Sequence, residues 1–445
     1  MSQRYFGTDG IRGVFGQPPL DEATVRTLGT CLGEHLGSGT TLVLGGDTRD
    51  STSILARWLA AGLHARDVNV CFLGTVPTPC VAYVTRTLSA AAGISVSASH
   101  NPHPDNGIKL IASDGFKWSS ADEAALEDAL RARAGTIETA DLPELEVDDR
   151  AVAGYFDYLA TQLPGTQPLS GMKIALDAAN GAAAPVAEAL FRRLGAEPIL
   201  HGVTPDGSNI NRDCGSTHPN AMADLTRNME CDIGCAFDGD ADRVIVADAT
   251  GRIHDGDAML YLWARQLDNE QQLPQSTIVA TSMSNLGLQV ALERHGIHLQ
   301  RCGVGDREVV ATLRREGLRL GGEQSGHLVD LERSTTGDGL LTALVMAHAI
   351  RQFDRPLAQL LEGFRRFPQT LINVRVATKP DLATLPEVVD VCHEIEAELG
   401  EQGRLVLRYS GTEPLARVML EGPEQEHIER LGHRLADTIR DALGE

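Results

Sequence analysis

Three stretches of the chain share one order of apolar and polar segments. Each begins with an apolar run, continues through a polar loop and an amphipathic segment, and closes with a second apolar run near a glycine; they cover residues 40–74, 172–202 and 276–303. Apolar runs without alternation are typical of strands covered on both faces, and a helical period between them indicates a crossover helix. We therefore expect three βαβ units in mixed or parallel sheets.

The length and dissimilarity of these units favour three related α/β domains over a solenoid of short repeats. Three unrelated units within one large sheet are the alternative. Ligands of such folds usually bind at the loops that follow the carboxyl ends of the strands. Those loops are therefore where we expect the chemistry of the protein.

The C-terminal part of the chain follows a different pattern. After Pro368, "LINVRVA" predicts a strand, "LPEVVDVCHEIEAELG" a helix, "GRLVLRYSG" and "ARVMLEG" two strands, and "EQEHIERLGHRLADTIRDALGE" a last helix, an order that suits a small α+β domain. Residues 132–149 carry few apolar repeats and are expected to join the first domain to the second. The expected domains are residues 1–150, 151–252, 253–368 and 369–445.

The composition of the chain limits the kinds of molecule that it is expected to bind. A chain of 445 residues is long for one core, which agrees with several domains, and its 42% hydrophobic and 22% charged residues are ordinary for a globular protein. The formal net charge of −22 argues against nucleic acid or an anionic membrane as a partner, because both require a basic face. An anionic small substrate would need arginine and lysine gathered in a few loops.

The N-terminal stretch has no apolar segment of a signal peptide, and the chain has no long apolar run of transmembrane length. Its eight cysteines are scattered, and the pair Cys231 and Cys235 has no second close pair to complete a zinc site. We therefore expect reduced thiols and a cytoplasmic protein.

The loop "DGDADR" carries the strongest sign of a metal site. Asp238, Asp240 and Asp242 alternate after an apolar run, and three such carboxylates repel one another unless a cation neutralises them. Oxygen ligands favour Mg²⁺; a calcium loop of the EF-hand type is excluded because Arg243 and Ala249 stand where its glycine and glutamate belong. A solvated acidic turn is the alternative, although the flanks "IGCAF" and "VIVA" indicate burial.

The stretch "GISVSASHNPHPDNGIKL" places a hydroxyl, Ser99, at the expected end of a strand. Neighbouring side chains of a strand face opposite sides, so Ser99 and His100 are not expected to form a nucleophile–base pair. The chain also lacks the "GxSxG" elbow of many hydrolases. We therefore interpret Ser99 as a phosphate carrier held by the metal, with Lys109 brought back toward it by the "PDNG" turn.

Two further loops suit a sugar phosphate. In "LGGEQSGHLVD", Glu323, Ser325 and His327 alternate, and in a strand they would face one side and could bind sugar hydroxyls. A structural role is the alternative for His327. In "RYSGTEPLAR" the groups suited to a phosphate are hydroxyls and backbone around a glycine between two guanidiniums, namely Arg408, Ser410, Gly411, Thr412 and Arg417. A tight turn with exposed arginines explains that loop equally well.

Taken together, "SASHNP", "DGDADR", "GEQSGH" and "SGTEP" resemble the four signature loops of the α-D-phosphohexomutase superfamily, and they occur in that family's order. "FGTDGIRG", "DTR", "PTP", "DGSNIN", "GVGDR" and "TTGDG" match it as well. The resemblance implies a four-domain, heart-shaped molecule, with three related α/β mixed-sheet domains and a C-terminal α+β domain around a central cleft. Each domain would supply one signature loop.

Within that superfamily the chain most resembles the bacterial branch that acts on glucosamine phosphates. The resemblance implies interconversion of glucosamine 6-phosphate and glucosamine 1-phosphate, on the route to UDP-N-acetylglucosamine and the cell wall. Phosphoserine at Ser99 would phosphorylate the substrate, the 1,6-bisphosphate would reorient, and its other phosphate would return to Ser99. A phosphomannomutase/phosphoglucomutase of the same superfamily is the alternative; a non-catalytic phosphosugar-binding protein and a Mg²⁺-dependent phosphatase are more distant ones.

The resemblance also assigns roles to individual residues. It implies one Mg²⁺ per chain, held by Ser99, Asp238, Asp240 and Asp242. The residues implied in catalysis are Ser99, His100, Lys109, Arg12, Arg243 and His327. Those implied in substrate binding are Glu323, Ser325, Arg408, Ser410, Gly411, Thr412 and Arg417.

Three further expectations follow from the same family. Phosphorylation of Ser99, primed by a hexose 1,6-bisphosphate, would activate the protein, and a homodimer through the first domain is expected. The metal loop departs from the family because Ala241 stands where glycine is usual, and a positive φ there would strain it by about 1 kcal/mol. Tyr409 stands where lysine or proline is common and should alter only the rim of its loop.

Overall fold

The computed structural model describes residues 5–7, 9–133, 141–410 and 414–444. Within these ranges the chain forms four β-sheets, of six, five, four and three strands, with helices packed around them. The expected α/β class with a C-terminal α+β part is confirmed. Part of the expected connection at 132–149, as well as Gly411 and Thr412, lies outside the described residues.

The first sheet is mixed. Its elements and the neighbouring helices are β1 Phe6–Gly7, β2 Gly10–Val14, α1 Glu22–Leu36, β3 Thr41–Gly46, α2 Asp50–His64, β4 Asn69–Thr75, α3 Thr78–Thr87, β5 Ala92–Val96, β6 Asp105–Ala112 and α4 Ser120–Ala132. The strand order is β1-β2-β6-β5-β3-β4. Strand β3 is parallel to β4 and β5, which confirms the first βαβ unit, whereas β6 returns antiparallel to β5. That return pairs Lys109 with Ser95, close to the loop that follows β5.

The second sheet carries the acidic loop. Helix α5 Asp149–Ala160 precedes β7 Lys173–Asp177, α6 Ala187–Arg193, β8 Glu197–His201, α7 Asn220–Asn228, β9 Ile233–Phe237, β10 Val244–Asp248 and β11 Ile253–His254. The order is β11-β10-β9-β7-β8, with β7 parallel to β8 and β9. Strands β9 and β10 are antiparallel, and all their residues are buried, as their apolar sequences predict. Residues 238–243 therefore form the connection between two buried strands.

The third sheet carries the expected sugar loop. Its region comprises α8 Gly256–Asn269, β12 Thr277–Thr281, α9 Leu286–Glu293, β13 His298–Cys302, α10 Asp306–Glu316, β14 Leu320–Gly322, β15 Leu328–Asp330, α11 Gly339–Phe353 and α12 Leu357–Leu360. The order is β13-β12-β14-β15, with β12 parallel to β14 and β14 antiparallel to β15. Residues 323–327 are thus a hairpin loop and not part of a strand.

The last sheet follows the predicted order of elements: β16 Gln369–Arg375, α13 Pro386–Leu399, β17 Arg404–Tyr409, β18 Leu415–Glu421 and α14 Gln425–Leu443. Strand β18 lies between β16 and β17, antiparallel to both. The apolar stripe of α14 is fully buried, because its members recur at helical spacing; they are Ile428, Leu431, Leu435 and Ile439.

The chain divides into two compact units. The first comprises Met1–Met283 and Gln300–Leu361, and the second comprises Ser284–Leu299 and Glu362–Glu445. Helix α9 therefore belongs to the second unit, together with the last sheet. None of the helices in the described part of the chain is long and apolar enough to cross a membrane.

Candidate active site

Ser99 lies in a loop of the first unit, three residues beyond the end of β5, rather than at the strand end that we expected. Its backbone is left-handed, with φ of +53°, and its side chain is buried. The Ser99 hydroxyl donates a hydrogen bond to Asp238 Oδ2 at 2.5 Å. The structure thus brings the expected phosphate carrier into contact with the acidic loop.

The expectation that Ser99 and His100 face opposite sides is wrong. Ser99 Oγ lies 3.3 Å from His100 Nδ1, because the two residues lie beyond the strand and Ser99 has a left-handed backbone, so strand alternation does not apply. Burial, together with the nearby Arg243 and Arg12, lowers the pKa of His100. The imidazole is therefore neutral at pH 7 and lies within reach of the Ser99 hydroxyl.

The acidic loop forms a buried cluster. One carboxylate oxygen from each of Asp238, Asp240 and Asp242 lies within 4.8 Å of the others. The residue between the last two, Ala241, has a φ of +52°, so alanine does occupy a left-handed position there. The Ala241 carbonyl accepts a hydrogen bond at 3.0 Å from the backbone N–H of Gly339, which helps to hold that conformation.

A lysine from the first sheet partly neutralises these acids. Lys109 Nζ lies 2.7 Å from Asp240 Oδ2 and 3.2 Å from Asp242 Oδ2. Burial opposes ionisation of Asp240, yet Lys109 holds the pKa of that carboxyl below its ordinary value. Burial and the two neighbouring carboxylates raise the pKa of Asp238 well above the usual range. The single positive charge of Lys109 is therefore too small to neutralise the three carboxylates of the cluster.

The cluster fits a hard divalent cation. Asp240 Oδ1 and Asp242 Oδ1 are buried and have no hydrogen-bond partner among the described residues. Such atoms carry a desolvation cost unless a further ligand is present. Three converging carboxylate oxygens with a hydroxyl beside them are a donor set suited to Mg²⁺. Ser99, Asp238, Asp240 and Asp242 are thus together at one place.

Arg12 and Arg243 also reach the loop of Ser99. Arg12 donates from Nη1 to the side-chain oxygen of Asn101 at 3.2 Å and forms an ion pair with Asp9. Arg243 Nη1 lies 3.4 Å from His100 Nδ1. The expected guanidiniums are therefore gathered beside the serine in a protein of strongly negative net charge.

Sequence reasoning assigned no role to a group of charged residues that supports these side chains. Burial opposes ionisation of Asp9, yet Lys109, Lys117 and Arg12 hold the pKa of Asp9 well below its usual range. Lys117 Nζ also lies 2.5 Å from Asp306 Oδ2; desolvation opposes ionisation of that carboxyl, yet Lys117 lowers its pKa to about 2. Asp9 and Asp306 lie in "FGTDGIRG" and "GVGDR", whose match to the family was the available signal.

Glu323, Ser325 and His327 do not share a side. They belong to the β14–β15 hairpin loop, where Gly326 has a φ of +93°, so the alternation of a strand is lost. Ser325 is exposed, whereas His327 is buried and its Nε2 accepts from the N–H of Gly337 at 3.2 Å. Glu323 Oε1 accepts from the N–H of Gly305 at 3.2 Å.

The expected phosphate loop lies in the second unit, at the end of the β17–β18 pair. Arg408 and Arg417 are directly opposite each other in that ladder, and Arg417 Nη2 donates to Ser410 Oγ at 3.4 Å. Lys379, which sequence reasoning missed, donates to the Ser410 carbonyl at 2.6 Å. Like charges opposite each other destabilise a sheet, so an anion bound there would be stabilising.

Four family models match the chain in order. They describe phosphoglucomutase/phosphomannomutase alpha/beta/alpha domain I at residues 3–135, domain II at 153–251, domain III at 255–367 and the C-terminal domain at 371–438. These matches include all four loops described above.

Relatives match over their whole length. The phosphoglucosamine mutase of Alkalilimnicola ehrlichii is 44% identical, covering 99% of this chain and 98% of that protein. That of Aeromonas hydrophila is 43% identical, with 100% of both chains covered. Among solved structures, a phosphoglucomutase/phosphomannomutase family protein from Burkholderia thailandensis has a TM-score of 0.79 at 25% identity, covering 98% of this chain and 97% of that one.

A more distant structure shows the same fold. Parafusin, a phosphoglucomutase from Paramecium, has a TM-score of 0.75 at 19% identity, covering 100% of this chain and 96% of that one. The chain therefore belongs to the α-D-phosphohexomutase superfamily, in which full-length relatives at 43–44% identity are phosphoglucosamine mutases.

Proposed function

We propose that this protein interconverts glucosamine 6-phosphate and glucosamine 1-phosphate through a phosphoserine at Ser99 and a glucosamine 1,6-bisphosphate. The observation that carries the proposal is the buried hydrogen bond between the Ser99 hydroxyl and Asp238, in the middle of a carboxylate cluster. Full-length relatives with the name phosphoglucosamine mutase support the choice of substrate.

Ser99, Asp238, Asp240 and Asp242 would hold one Mg²⁺. When bound, this ion would stabilise the negative charge of a phosphoryl group on Ser99 during its transfer. Lys109 is fully buried and keeps its charge, because Asp240, Asp242 and Asp9 raise its pKa well above the usual range despite burial. It would therefore bring a permanent positive charge to the same place.

Side chains around Ser99 would transfer the proton and stabilise the phosphoryl oxygens. His100 lies 3.3 Å from the hydroxyl and its pKa is lowered, so its Nδ1 can accept a proton from the hydroxyl that attacks the phosphoryl group and return it to the oxygen of Ser99 as that oxygen leaves. Arg243 and Arg12 lie beside that loop and would stabilise phosphoryl oxygens with charge-assisted hydrogen bonds. His327 is a further candidate, because its buried Nδ1 has no partner among the described residues.

The remaining residues would hold the substrate. Glu323 and Ser325 would bind sugar hydroxyls. The phosphate that is not transferred would bind the opposed guanidiniums of Arg408 and Arg417 and the hydroxyl of Ser410, completed by Gly411 and Thr412. A phosphate site that makes few sugar contacts suits a reaction in which either end of the bisphosphate must enter it.

We expect activation by phosphorylation of Ser99 with a hexose 1,6-bisphosphate as primer, a homodimer, and a location in the cytoplasm. The boundaries of the four domains, at residues 150, 252 and 368, remain a prediction.

The test compares three substrates by ³¹P NMR, with Mg²⁺ and a trace of glucose 1,6-bisphosphate. We expect the signal of the C1 phosphate to grow fastest from glucosamine 6-phosphate. Faster growth from glucose 6-phosphate or mannose 6-phosphate would favour the alternative, a phosphomannomutase/phosphoglucomutase. Release of inorganic phosphate alone would contradict mutase activity.

A further inference from the structure

The backbone of Ser99 is held in a conformation that its side chain disfavours. A φ near +53° is strained for a residue other than glycine, and such strain persists only where the surrounding structure enforces it. The conformation also aims the hydroxyl at Asp238. Groups that enforce it therefore determine where a phosphoryl group on Ser99 would lie.

Two side chains hold the carbonyl of Ser99. Arg49 donates to it from Nη2 at 3.1 Å, and Asn211 donates to it from Nδ2 at 2.9 Å. The same two nitrogen atoms donate to the carbonyl of Asn101, at 2.8 Å and 3.2 Å respectively. Arg49 Nη1 adds a bond to the carbonyl of Pro102 at 2.6 Å. We call Arg49 and Asn211 the carbonyl clamp.

The clamp is itself rigidly placed. The side chains of Arg49 and Asp47 are both fully buried, and Arg49 Nε donates to Asp47 Oδ2 at 2.9 Å. The same carboxylate accepts from the hydroxyl of Ser97 at 2.5 Å, and Ser97 Oγ in turn accepts from the N–H of Ser99 at 2.9 Å. Arg49 therefore acts on both backbone polar groups of Ser99, on the carbonyl directly and on the N–H through Asp47 and Ser97.

Asn211 comes from a different sheet region and acts without charge. It is buried and has a φ of +57°, and its own backbone N–H donates to the carbonyl of Ala179 at 2.9 Å. The metal loop packs at the same place, since a Cβ on Gly239 would lie 2.5 Å from the Ser99 carbonyl oxygen and 3.0 Å from Asn211 Nδ2. The clamp thus lies where the serine loop and the acidic loop touch.

We propose that Arg49 and Asn211 are positioning residues for phosphoryl transfer. They hold the backbone of Ser99 so that its hydroxyl oxygen stays beside Asp238 of the acidic loop. The inference rests on the proposed mutase function. Neither residue touches the reacting atoms, so their loss should lower the rate of transfer and leave substrate binding almost unchanged. Misplacement by about 1 Å can cost about 100-fold in rate.

The test uses a matched pair of variants in the full chain. Asn211→Asp replaces the donor that faces two carbonyls by an acceptor. Asn209→Asp makes the same change in the same loop, where Asn209 Nδ2 donates to the carbonyl of Thr204 at 3.0 Å and does not contact Ser99. We expect Asn211→Asp to lower kcat about 10- to 100-fold with KM within about 2-fold, and Asn209→Asp to keep both near wild type.

A second variant distinguishes loss of the amide contacts from a disturbed fold. Asn211→Gly removes the amide, and glycine accepts a φ of +57° without strain, so the backbone path is kept. The ³¹P chemical shift of phosphoserine at Ser99 should move in Asn211→Gly but not in Asn209→Asp. Arg49→Lys keeps the charge opposite Asp47 but removes the fork, and its loss in kcat should be less than additive with that of Asn211→Gly.

The outcomes separate the two claims. An inactive wild-type protein would contradict the proposed function. An active wild-type protein with an unchanged kcat in a folded Asn211→Gly variant would overturn the clamp. Equal losses in Asn211→Asp and Asn209→Asp, or a change confined to KM, would overturn it as well.

Discussion

At the residue scale, the two loops that meet at the candidate site each contain a strained position. Ser99 and Ala241 both have a positive φ although neither is glycine. Hydrophobic patterning does not reveal backbone handedness, and for this reason the sequence placed Ser99 in a strand and opposite to His100. The residue types themselves were informative, because acids at alternate positions predicted the cluster that the structure contains.

Ala241→Gly tests how alanine is tolerated in the metal loop. Relief of the left-handed strain would add about 1 kcal/mol of stability, while loss of a buried methyl group and the greater freedom of the unfolded chain would remove about as much. We expect the free energy of unfolding, measured by urea denaturation, to change by less than about 1 kcal/mol. A loss of several kcal/mol would show that the Ala241 methyl group is required for packing.

At the element scale, the patterns predicted the strand–helix–strand order of all three expected βαβ units and the C-terminal β-α-β-β-α order. The strand predicted at residues 323–327 was wrong, because alternating polar residues in a short hairpin loop give the same sequence pattern as a strand. Gly326 was the physical signal, since its φ of +93° turns the chain between β14 and β15. Charged partners far apart in sequence, such as Lys117 and Asp306, leave no local pattern at all.

The N-terminus of α11 predicts a pH dependence. Asp338 caps this helix through the N–H of Leu341 and accepts from the hydroxyl of Tyr155 at 2.9 Å. Burial raises its pKa from 3.8 to about 6. Between these values the folded protein binds a proton that the unfolded chain does not, so this group's contribution to stability falls as the pH rises from about 4 to about 6.

Asp338→Asn should remove that contribution. Asparagine is neutral at every pH and remains a good helix cap, so the variant should be more stable than wild type at pH 7. The difference between the two free energies of unfolding should shrink as the pH falls toward 4. A difference that stays constant over this range would show that Asp338 does not titrate there.

At the scale of the whole molecule, the net charge of −22 argued against nucleic acid as a partner and directed attention to loops in which arginine and lysine are gathered. The order and the spacing of the four signature loops identified the superfamily. The periodicity of apolar residues alone could not have done so. The division into compact units was not foreseen, because α9 lies far in sequence from the C-terminal sheet with which it groups. Contacts between distant segments decide such a division.

Glu421 is the centre of one such contact set, within the second unit. Its buried carboxylate accepts from Asn285 Nδ2 at 3.0 Å and from the N–H of Leu286 at 3.2 Å, and it pairs with Arg404 at 2.7 Å. Removing one partner of a buried pair costs about 3–5 kcal/mol.

Glu421→Gln should therefore increase hydrogen exchange across residues 286–293 and in β18. The matched control is Glu398→Gln, because Glu398 forms a more exposed pair with Arg430 and should leave that exchange unchanged. Unchanged exchange in Glu421→Gln would mean that α9 is held to the C-terminal sheet by other contacts.

The central claim is that Ser99 carries the phosphoryl group. The most direct measurement is rapid-quench mass spectrometry of the protein phosphorylated at Ser99, mixed with one equivalent of glucosamine 6-phosphate and Mg²⁺. We predict that the peptide containing Ser99 loses its phosphate as glucosamine 1,6-bisphosphate forms, with no such transfer in Ser99→Ala or in excess EDTA. Turnover by Ser99→Ala at the wild-type rate, or an ¹⁸O-labelled phosphoryl group that stays on Ser99 while glucosamine 1-phosphate accumulates, would contradict the account.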